Sequence, residues 1–494
     1  MFVQREKGGV NVGFIQFASS PIHFAALLEI ARDQFLAQKS IHYAIWGAKT
    51  HFPCRMSANF QSLSTNLPKK ISRALKTAAP RSEITKQIGF DSLWVSEMMS
   101  LLLPILAEIK SISDFTQLRI NGLNPGPAIA NEFVTITKSR NSIPNENLEL
   151  IHDMLRSYLE VFSATRIWLR ENSIHELYLF NGRFLHERAA WDASKMEEVM
   201  VMIFETTRDR LHIRPEGFHN RNNNQRLMLE HWRESKESDC FKFEVSDQWF
   251  SNLRSDKNPF STENTAGVEL DAPYILYFSN SDDEAVGFWE HWNQNLGTQI
   301  ECVRELIRIV NVQSEYELVI RLHPNLASKP EGDQREWLDL LDSEHVRVIG
   351  PNEPISSYGL IQSSRAVITF GSTIGIEAAY MNKPVMVLAD CKYDELGFAF
   401  KPTDWESAKS WIENSKNVSS AELLERKKLS RIFGYFIFTG GQKFKYAKLV
   451  EIGWGAWKVI DFLGFSWDES RILDLYRRFL LKMKFISKIR KVAK

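Results

Sequence analysis

The chain contains 494 residues, a length that suggests two or three domains. It is 44% hydrophobic and 25% charged, which excludes a disordered chain and allows large buried cores. Lys and Arg together number 61, as do Asp and Glu, and this balance argues against a nucleic-acid-binding surface that extends over the whole chain.

Three further features bear on the cellular compartment. Residues 1–10 lack the basic, apolar and small-residue regions of a signal peptide. The longest apolar stretch, residues 93–109, is interrupted by Glu97 and Glu108, so it is a poor membrane-spanning helix. Scattered cysteines without a CxxC pair are typical of reduced thiols and support neither disulfides nor a zinc site. We therefore expect a cytoplasmic protein. The cysteines are Cys54, Cys240, Cys302 and Cys391.

The first half of the chain alternates between strand-like and helix-like patterns. Apolar runs at 10–18 and 41–46 predict strands, and apolar residues at helical spacing predict a helix at 23–38 between them. Residues 66–90 are basic and polar, with few apolar anchors. The alternation continues to about residue 240 and indicates an α/β domain. The other predicted elements are helices at 91–109, 147–169 and 186–198 and strands at 176–180 and 199–204.

The second half shows the same alternation more regularly. A polar segment, residues 254–272, predicts a linker. Beyond it, five short apolar runs alternate with helical patterns, which predicts a doubly wound parallel sheet. The predicted strands are 274–278, 318–322, 346–349, 366–370 and 385–388. The predicted helices are 299–312, 333–341, 355–362 and 374–380.

These patterns divide the chain into an N-terminal Rossmann-like domain at 1–255, a linker at 256–272, a C-terminal Rossmann-like domain at 273–430, and C-terminal helices with a basic tail at 431–494. In parallel sheets of this kind, ligands bind beyond the carboxyl ends of the strands. Unusual residues at those ends are therefore the candidates for chemistry.

The first candidate site follows the strand predicted at 366–370. Gly371 allows a ligand to approach the backbone closely. Ser372 and Thr373 place hydroxyls at the start of the next helix, where free N–H groups and the helix dipole suit a phosphate. Glu377, one turn farther along, could hold ribose hydroxyls. The alternative is a Ser/Thr helix cap with Glu377 as a surface or capping residue.

The second candidate site ends the strand predicted at 318–322. His323 could donate a hydrogen bond to a phosphate or assist a leaving group. Pro324 forces an extended or turn-like exit, and Arg321 could point toward the other face of the sheet. The alternative is a loop histidine that only ends the strand.

These two segments together resemble a known family. Arg-x-His-Pro at 321–324, followed by Gly-Ser-Thr-x-Gly-x-Glu-Ala-Ala at 371–379, is similar to the donor-binding domain of GT-B glycosyltransferases, and above all to bacterial capsule and surface-polysaccharide biosynthesis proteins. Related pairs occur in Kdo transferases, bacterial sialyltransferases and CDP-glycerol polymerases. The resemblance implies that His323, Ser372 and Thr373 contact the donor phosphate and that Glu377 contacts the ribose or sugar. Arg321 and Gly371 complete the predicted donor-binding set.

The resemblance extends upstream. Tyr-Leu-Phe-Asn-Gly-Arg at 178–183, followed by Arg188, resembles the family's Asn-Gly-Arg segment, and Glu205 and His219 fall where the partners of that segment follow. Residues 274–284 look like the first strand of the donor domain with its serine- and acid-rich loop. The predicted acceptor or cleft residues are Asn181, Arg188, His219 and Asp282.

Three residues are predicted to be catalytic. Arg183 follows the strand-ending Gly182, and a guanidinium can grip a phosphate or carboxylate with two hydrogen bonds. Glu205 ends an apolar strand and is a candidate general base or acceptor-sugar ligand. His23 lies at the start of the first helix, a cleft-facing position in this architecture. A structural ion pair remains the alternative for Arg183 and for Glu205.

No metal or cofactor is expected beyond the nucleotide-sugar substrate. His, Asp and Glu residues are dispersed, and the acidic run at 282–284 is more simply a helix N-terminus. The resemblance agrees, because GT-B enzymes generally need no bound metal. The C-terminal end, residues 475–494, contains eight Lys or Arg and no acid, and could lie on an anionic membrane face. The alternative is a solvated terminal helix.

Together these features predict an α/β protein of GT-B fold, with two Rossmann-like domains facing across a cleft. It would transfer a sugar from a nucleotide donor to a growing bacterial surface polysaccharide, either capsule or lipopolysaccharide O-antigen. Its expected partners are the donor, a glycan or lipid-linked glycan acceptor and the inner face of the plasma membrane, with no nucleic acid. The alternatives are a CDP-polyol phosphotransferase or a nucleotide-sugar epimerase of the same fold, and a non-catalytic scaffold in a polysaccharide assembly complex.

Overall fold

The computed structural model describes residues 9–16, 21–45, 67–85, 88–119, 121–139, 147–215, 221–254, 273–281, 295–313, 316–341, 345–453, 456–462 and 465–467. The chain divides into two compact units. The first unit comprises Met1–Glu132, Ile143–Phe218 and Gly441–Lys494, and the second comprises Phe133–Ser142 and His219–Gly440.

The first unit is built on a seven-stranded sheet in the order β12-β6-β5-β4-β1-β2-β3. The strands from β5 through β3 in that order run parallel, whereas β6 is antiparallel to β5 and β12 is antiparallel to β6. Its strands are β1 (Asn11–Gln16), β2 (Ser40–Ile45), β3 (Glu83–Thr85), β4 (Glu176–Phe180), β5 (Met200–Thr207), β6 (Arg210–Arg214) and β12 (Gln442–Lys443). The described helices are α1 (Pro21–Leu36), α2 (Leu67–Ala78), α3 (Ser92–Glu108), α4 (Ile112–Thr116), α5 (Gly126–Thr137), α6 (Leu148–Glu171) and α7 (Leu185–Met196). Helix α5 continues into the residues assigned to the second unit.

The strand order of this sheet reverses direction at one place. The chain passes from β1 outward to β2 and β3, and then returns to place β4 on the other side of β1. Apolar residues such as Val12, Phe14 and Tyr178 pack on one face of the sheet against α1. The switch point of this sheet therefore lies between β1 and β4. In doubly wound sheets, ligands bind at the loops that follow the two strands of the switch point.

The C-terminal part of the first unit is an antiparallel meander of β13 (Ala447–Gly453), β14 (Ala456–Phe462) and β15 (Phe465–Trp467). The buried carboxylate of Glu29 on α1 connects to it by accepting hydrogen bonds from the backbone N–H groups of Lys445, Tyr446 and Ala447, at 3.1, 2.5 and 2.6 Å. Of the helices predicted from residue 431, the structure shows one that ends at Thr439; the described residues beyond it include the strands of this meander, whose Ala447, Val459 and Phe462 pack into the core of the first unit.

The second unit is built on a five-stranded parallel sheet in the order β11-β10-β7-β8-β9. Its strands are β7 (Tyr274–Phe278), β8 (Glu317–Arg321), β9 (Val346–Ile349), β10 (Ala366–Thr369) and β11 (Val385–Val387). The described helices are α8 (Arg221–Glu234), α9 (Asp239–Leu253), α10 (Gln299–Gln313), α11 (Glu331–Leu338), α12 (Ser357–Ser363), α13 (Ile374–Tyr380), α14 (Trp405–Asn414) and α15 (Ser420–Thr439).

Both faces of this second sheet are covered. All five residues of β7 are buried, and they divide alternately between two cores: Tyr274 and Leu276 belong to one, and Ile275 and Tyr277 to the other. Such continuous apolar runs are what parallel strands between two helical layers require. The chain adds β8 and β9 on one side of β7 and then returns to place β10 on the other side, so the switch point lies between β7 and β10. The predicted α/β class with two Rossmann-like sheets is confirmed.

The boundary between the units differs from the predicted one at residue 255. Helices α8 and α9 belong to the second unit, because Met228, Trp249 and Phe250 pack in the same core as Ile432 and Phe433 of α15. The rest of the predicted linker, residues 255–272, lies outside the described residues.

Candidate functional site

Three loops emerge side by side at the carboxyl edge of the second sheet. The last residues of β10, β7 and β8 are in register, with Thr369 opposite Phe278 and Phe278 opposite Arg321. Since neighbouring strands lie about 4.8 Å apart, the loops after β10 and β8 begin about 10 Å from each other across the loop after β7. This edge contains the switch point and the predicted donor-binding residues that follow β8 and β10.

The loop after β10, Phe370–Thr373, is tightly specified by its neighbours. Gly371 has φ +101°, a left-handed conformation that glycine adopts without strain. The hydroxyl Oγ1 of Thr369 accepts hydrogen bonds from the N–H groups of Gly371 and Ser372, at 2.9 and 2.8 Å. The hydroxyl of Tyr393 donates to the carbonyl oxygen of Ser372 at 2.6 Å. The backbone of this loop is therefore held in one conformation.

The next two residues present unused donors. Among the described residues, the backbone N–H groups of Thr373 and Ile374 have no hydrogen-bond partner, and the side chain of Thr373 makes no capping bond to α13. Thr373 is exposed and Ser372 is half-buried. Two N–H groups without an acceptor in the described part of the chain, next to the hydroxyls of Ser372 and Thr373 at the start of a helix, can accommodate the oxygens of a phosphate.

His323 follows β8 on the other side of β7. Its backbone N–H donates to the buried hydroxyl of Ser279 in the loop after β7, at 2.7 Å, and so ties two of the three loops together. Its ring nitrogen Nδ1 accepts from the N–H of Asn325 at 3.2 Å. With Nδ1 accepting this bond, the ring carries a proton on Nε2, which makes Nε2 a hydrogen-bond donor.

Arg321 has a supporting position within this edge. Its guanidinium donates to the backbone carbonyls of Gly350 and Glu353, the latter at 3.1 Å, and the side chain is buried. These bonds brace the loop after β9. Two N–H groups of Arg321, a residue predicted from the sequence to bind the nucleotide-sugar donor, therefore donate to backbone oxygens instead.

Glu377 lies one turn into α13 and is held by a neighbouring helix. The hydroxyl of Tyr358 on α12 donates to its Oε2 at 2.5 Å. Burial raises the pKa of Glu377 to about 7, against the opposing effects of the Tyr358 hydrogen bond and the Arg254 charge. Near neutral pH this group is therefore a mixture of the neutral acid, which can donate or accept, and the carboxylate, which can accept hydrogen bonds from ribose hydroxyls.

The sequence did not predict the residues that pack against the loop Phe370–Thr373 and hold its conformation. A Cβ atom on Gly375 would lie 2.5 Å from the hydroxyl oxygen of Tyr393, so the tyrosine fits only against a glycine. The loop that contains Tyr393 is anchored by Asp394, which binds Arg221, Gln225 and Lys401. Only Thr369, at the end of an apolar strand, offered a local signal; the other contacts join distant parts of the chain.

The corresponding edge of the first sheet contains the Asn-Gly-Arg segment. Asn181 and Gly182 follow β4 with φ +56° and +81°. The side-chain amide of Asn181 donates to Oε1 of Glu205 on β5, and its Oδ1 accepts from the N–H of Arg183 at 3.2 Å. The structure thus brings Asn181, Arg183 and Glu205 together.

Glu205 also lies near a buried cation. Burial lowers the pKa of Arg214 on β6 to about 10, and the negative charge of Glu205 opposes that effect. Arg214 remains protonated at neutral pH. An acidic group with an amide and a guanidinium beside it is well suited to binding a sugar hydroxyl or orienting a proton transfer.

His23, on the first turn of α1, reaches the same edge. Its ring stacks on Phe180, the last residue of β4, with the ring centroids 3.7 Å apart. Burial lowers the pKa of His23 to about 3, so the ring is neutral at physiological pH. Its buried Nδ1 has no hydrogen-bond partner among the described residues. A neutral imidazole in this position can accept a hydrogen bond from a hydroxyl.

Arg188 has structural partners instead. Its Nε lies 3.2 and 3.3 Å from the two carboxylate oxygens of Asp192, one turn along α7, and Asp192 accepts a 2.6 Å bond from the hydroxyl of Tyr158. This network joins α7 to α6. Arg188 therefore has a structural role in this network, and its predicted role in ligand binding stays a prediction.

Some predictions fall outside the described residues. His219, Asp282 and the basic end at 475–494 belong to these, so their roles stay predictions. Within the described ranges, no group of three or more His, Cys, Asp or Glu residues could hold a metal ion. No helix in that part of the chain is long and apolar enough to cross a membrane.

Several solved structures are similar to this chain. No protein-family model and no curated protein matches it. The KpsC beta Kdo 2,4 transferase of Thermosulfurimonas dismutans is similar, with 12% identity, 62% of this chain and 87% of that chain covered, and a TM-score of 0.36. The UDP-GlcNAc 2-epimerase of Neisseria meningitidis bound to UDP-GlcNAc is similar at 12% identity over 87% and 97% of the two chains, with a TM-score of 0.29.

A third similar structure is the calicheamicin glycosyltransferase CalG4, at 12% identity over 88% of this chain and 95% of that chain, with a TM-score of 0.27. A Kdo transferase and other glycosyltransferases are thus among the solved structures that the chain is similar to, as the motifs predicted, and so are epimerases. All these TM-scores are below 0.5, so function is inferred below from the geometry of the two sheet edges.

Proposed function

We propose that this chain is a glycosyltransferase that moves a sugar from a nucleotide-activated donor to a growing bacterial surface polysaccharide. The observation that carries the proposal is the edge of the second sheet, where His323 and the loop Phe370–Thr373 flank the switch point. A fixed loop with two N–H groups that have no acceptor among the described residues, two hydroxyls and a nearby imidazole suits the phosphate of a nucleotide.

In this proposal the second unit stabilises the leaving group. The negative charge that develops on the departing phosphate would be met by the N–H groups of Thr373 and Ile374 and by the Nε2–H of His323. Donors that are already oriented cost little reorganisation during the reaction, which is why such sites accelerate transfer. Glu377 would hold the ribose.

The first unit would supply the acceptor side. Glu205, oriented by Asn181, would bind or deprotonate the acceptor hydroxyl, and Arg183 would bind an anionic group of the acceptor or donor. His23 would accept a hydrogen bond from the sugar. All three lie at the switch-point edge of their own sheet, which supports a shared role.

The decisive experiment screens the full chain for thermal stabilisation by CMP, CDP, UDP, GDP and the corresponding activated sugars. A ligand that binds only the folded protein must raise the unfolding temperature. We expect one nucleotide to do so in the wild type and its effect to be much reduced in the His323→Ala variant.

A matched control is His345→Ala. His345 immediately precedes β9, at the opposite, amino-terminal edge of the same sheet, so its loss should leave nucleotide binding intact. If no nucleotide stabilises the wild type at saturating concentration, the donor-site assignment is wrong. A non-catalytic scaffold then becomes the favoured interpretation.

Once a binding nucleotide is identified, the products formed from its activated sugar are assayed. Transfer of the sugar alone to a glycan acceptor supports the proposal. Transfer of a phosphate-bearing unit would instead identify a polyol phosphotransferase, and epimerisation without an acceptor would identify an epimerase. Glu205→Gln should abolish transfer while leaving nucleotide stabilisation unchanged, since Glu205 is assigned to the acceptor side.

A further inference from the structure

Three cations surround one tyrosine ring in the helical layer of the second unit. The ammonium nitrogen of Lys427 lies 4.5 Å from the centroid of the Tyr380 ring. The guanidinium carbons of Arg254 and Arg431 lie 5.1 and 5.6 Å from the same centroid. Phe250 stacks on this ring with the centroids 3.8 Å apart, which fixes the ring's orientation.

The charges of this cluster do not balance. Arg431 is paired with Asp247 through two bonds of 2.7 Å. Arg254 and Lys427 form no ion pair with any residue that the structure describes. Glu377 is the other acid near Arg254, and its raised pKa of about 7 leaves it only partly ionised at neutral pH. Among the residues that the structure describes, the cluster therefore carries a surplus of positive charge.

The surplus of positive charge affects the pKa of one member of the cluster. The pKa of Lys427 is lowered, mainly by burial and then by the charges of Arg431 and Arg254, which outweigh the attraction of Asp247. Mutual repulsion of this kind costs stability unless an anion offsets it. Tyr380 is the last residue of α13, but a helix C-terminus supplies only about half a negative charge, which is too little to balance two cations.

We propose that Arg254, Lys427 and Arg431, arranged around Tyr380, bind a phosphate-bearing anion. The site is distinct from the loop Phe370–Thr373, because that loop precedes α13 and the seven residues of the helix span about 10 Å. The exposed guanidinium of Arg254 can form paired hydrogen bonds with phosphate oxygens, and Lys427 adds a point charge. The phosphate belongs either to a free phosphorylated metabolite or to a lipid headgroup. This site does not depend on the proposed transfer reaction.

Calorimetric titration of the full chain with pyrophosphate tests the proposal. Arg254→Gln and Lys427→Gln should each weaken binding about tenfold, the usual effect of losing a hydrogen bond to a charged group. Lys428→Gln is the matched control, because Lys428 is on the same helix but is paired with Glu425 at 2.5 Å. The titrations are repeated in the His323→Ala background to remove binding at the loop Phe370–Thr373.

A second readout separates a ligand site from a purely structural one. Without pyrophosphate, Lys427→Gln should unfold at the same temperature as the wild type or higher, because it relieves repulsion. The proposal is overturned if both Gln variants bind pyrophosphate as the wild type does, whatever their stability; a Lys427→Gln variant that is then also less stable than the wild type would assign Lys427 to packing.

Vesicles distinguish the two sources of phosphate. Wild type and variants keep the basic end at 475–494, so its contribution to vesicle binding is common to all. Weaker co-sedimentation of the two Gln variants with phosphatidylglycerol vesicles, and not with phosphatidylcholine vesicles, would identify a lipid headgroup. Pyrophosphate binding that depends on Arg254 and Lys427, with unchanged vesicle binding, would identify a free phosphorylated metabolite.

Discussion

A buried acid in the first unit gives the sharpest prediction. Glu187 on α7 is 1% exposed, and neither of its carboxylate oxygens has a hydrogen-bond partner among the described residues. Burial raises its pKa from 4.5 to about 8, with a further contribution from the buried Glu132 on α5. The folded protein therefore keeps a neutral Glu187 at physiological pH, whereas the unfolded chain releases the proton.

The sign and size of the effect follow from that difference. Between about pH 4.5 and pH 8 the folded state binds one more proton than the unfolded state, so stability falls as pH rises, by about 1.4 kcal/mol per pH unit. The full loss above about pH 8 is on the order of 5 kcal/mol. Glu187→Gln keeps the shape of the neutral acid and removes this proton.

Urea unfolding from about pH 5 to about pH 9 measures the effect. At the acid end the Gln variant should be about as stable as the wild type, and its advantage should grow toward the alkaline end. Glu171→Gln, an exposed position at the end of α6, is the control and should follow the wild type throughout. Parallel wild-type and Glu187→Gln curves would refute the argument that Glu187 is buried as a neutral acid.

Three other substitutions test the fold and the loop Phe370–Thr373. Glu29→Gln should lower the free energy of unfolding by about 1–2 kcal/mol, because the amide nitrogen of Gln cannot accept one of the hydrogen bonds that the two carboxylate oxygens accept from backbone N–H groups; an unchanged urea midpoint would contradict this. Tyr393→Phe should weaken nucleotide binding about tenfold by freeing the carbonyl of Ser372, and equal dissociation constants would show that the loop holds without it. Gly182→Ala should destabilise by more than about 1 kcal/mol, since φ is +81° and a Cβ would lie 2.9 Å from Trp191, and thermal unfolding checks it.

The parallel strands were predictable because their signal is local. Strand β7 and helix α13 occupy the predicted residues 274–278 and 374–380, since each buried apolar run is bounded by polar residues or by turn formers. Helix α2 was missed because its buried residues are mostly alanines, Ala74 and Ala78, which give a weak apolar pattern. Strand β6 was missed because arginines flank its short apolar core.

The candidate site was predictable in part for the same reason. Asn181, Arg183, His323 and the loop after β10 all follow strand ends, and parallel strands carry their loops to one edge whatever the rest of the fold does. Arg321 also follows this rule in position, yet its partners are carbonyls of the loop after β9, a long-range contact that no local pattern encodes.

The cation cluster around Tyr380 shows where local reasoning ends. Arg254 and Lys427 are separated by 172 intervening residues, and each alone looks like an ordinary surface charge. Only the packing of α9, α13 and α15 on one another brings the two charges to a common ring. Motifs therefore identify sites that form from neighbouring strand ends, whereas an unbalanced cluster in a helical layer becomes visible only when the charges of the folded unit are compared. A phosphate-bearing anion is the missing charge that such a comparison calls for.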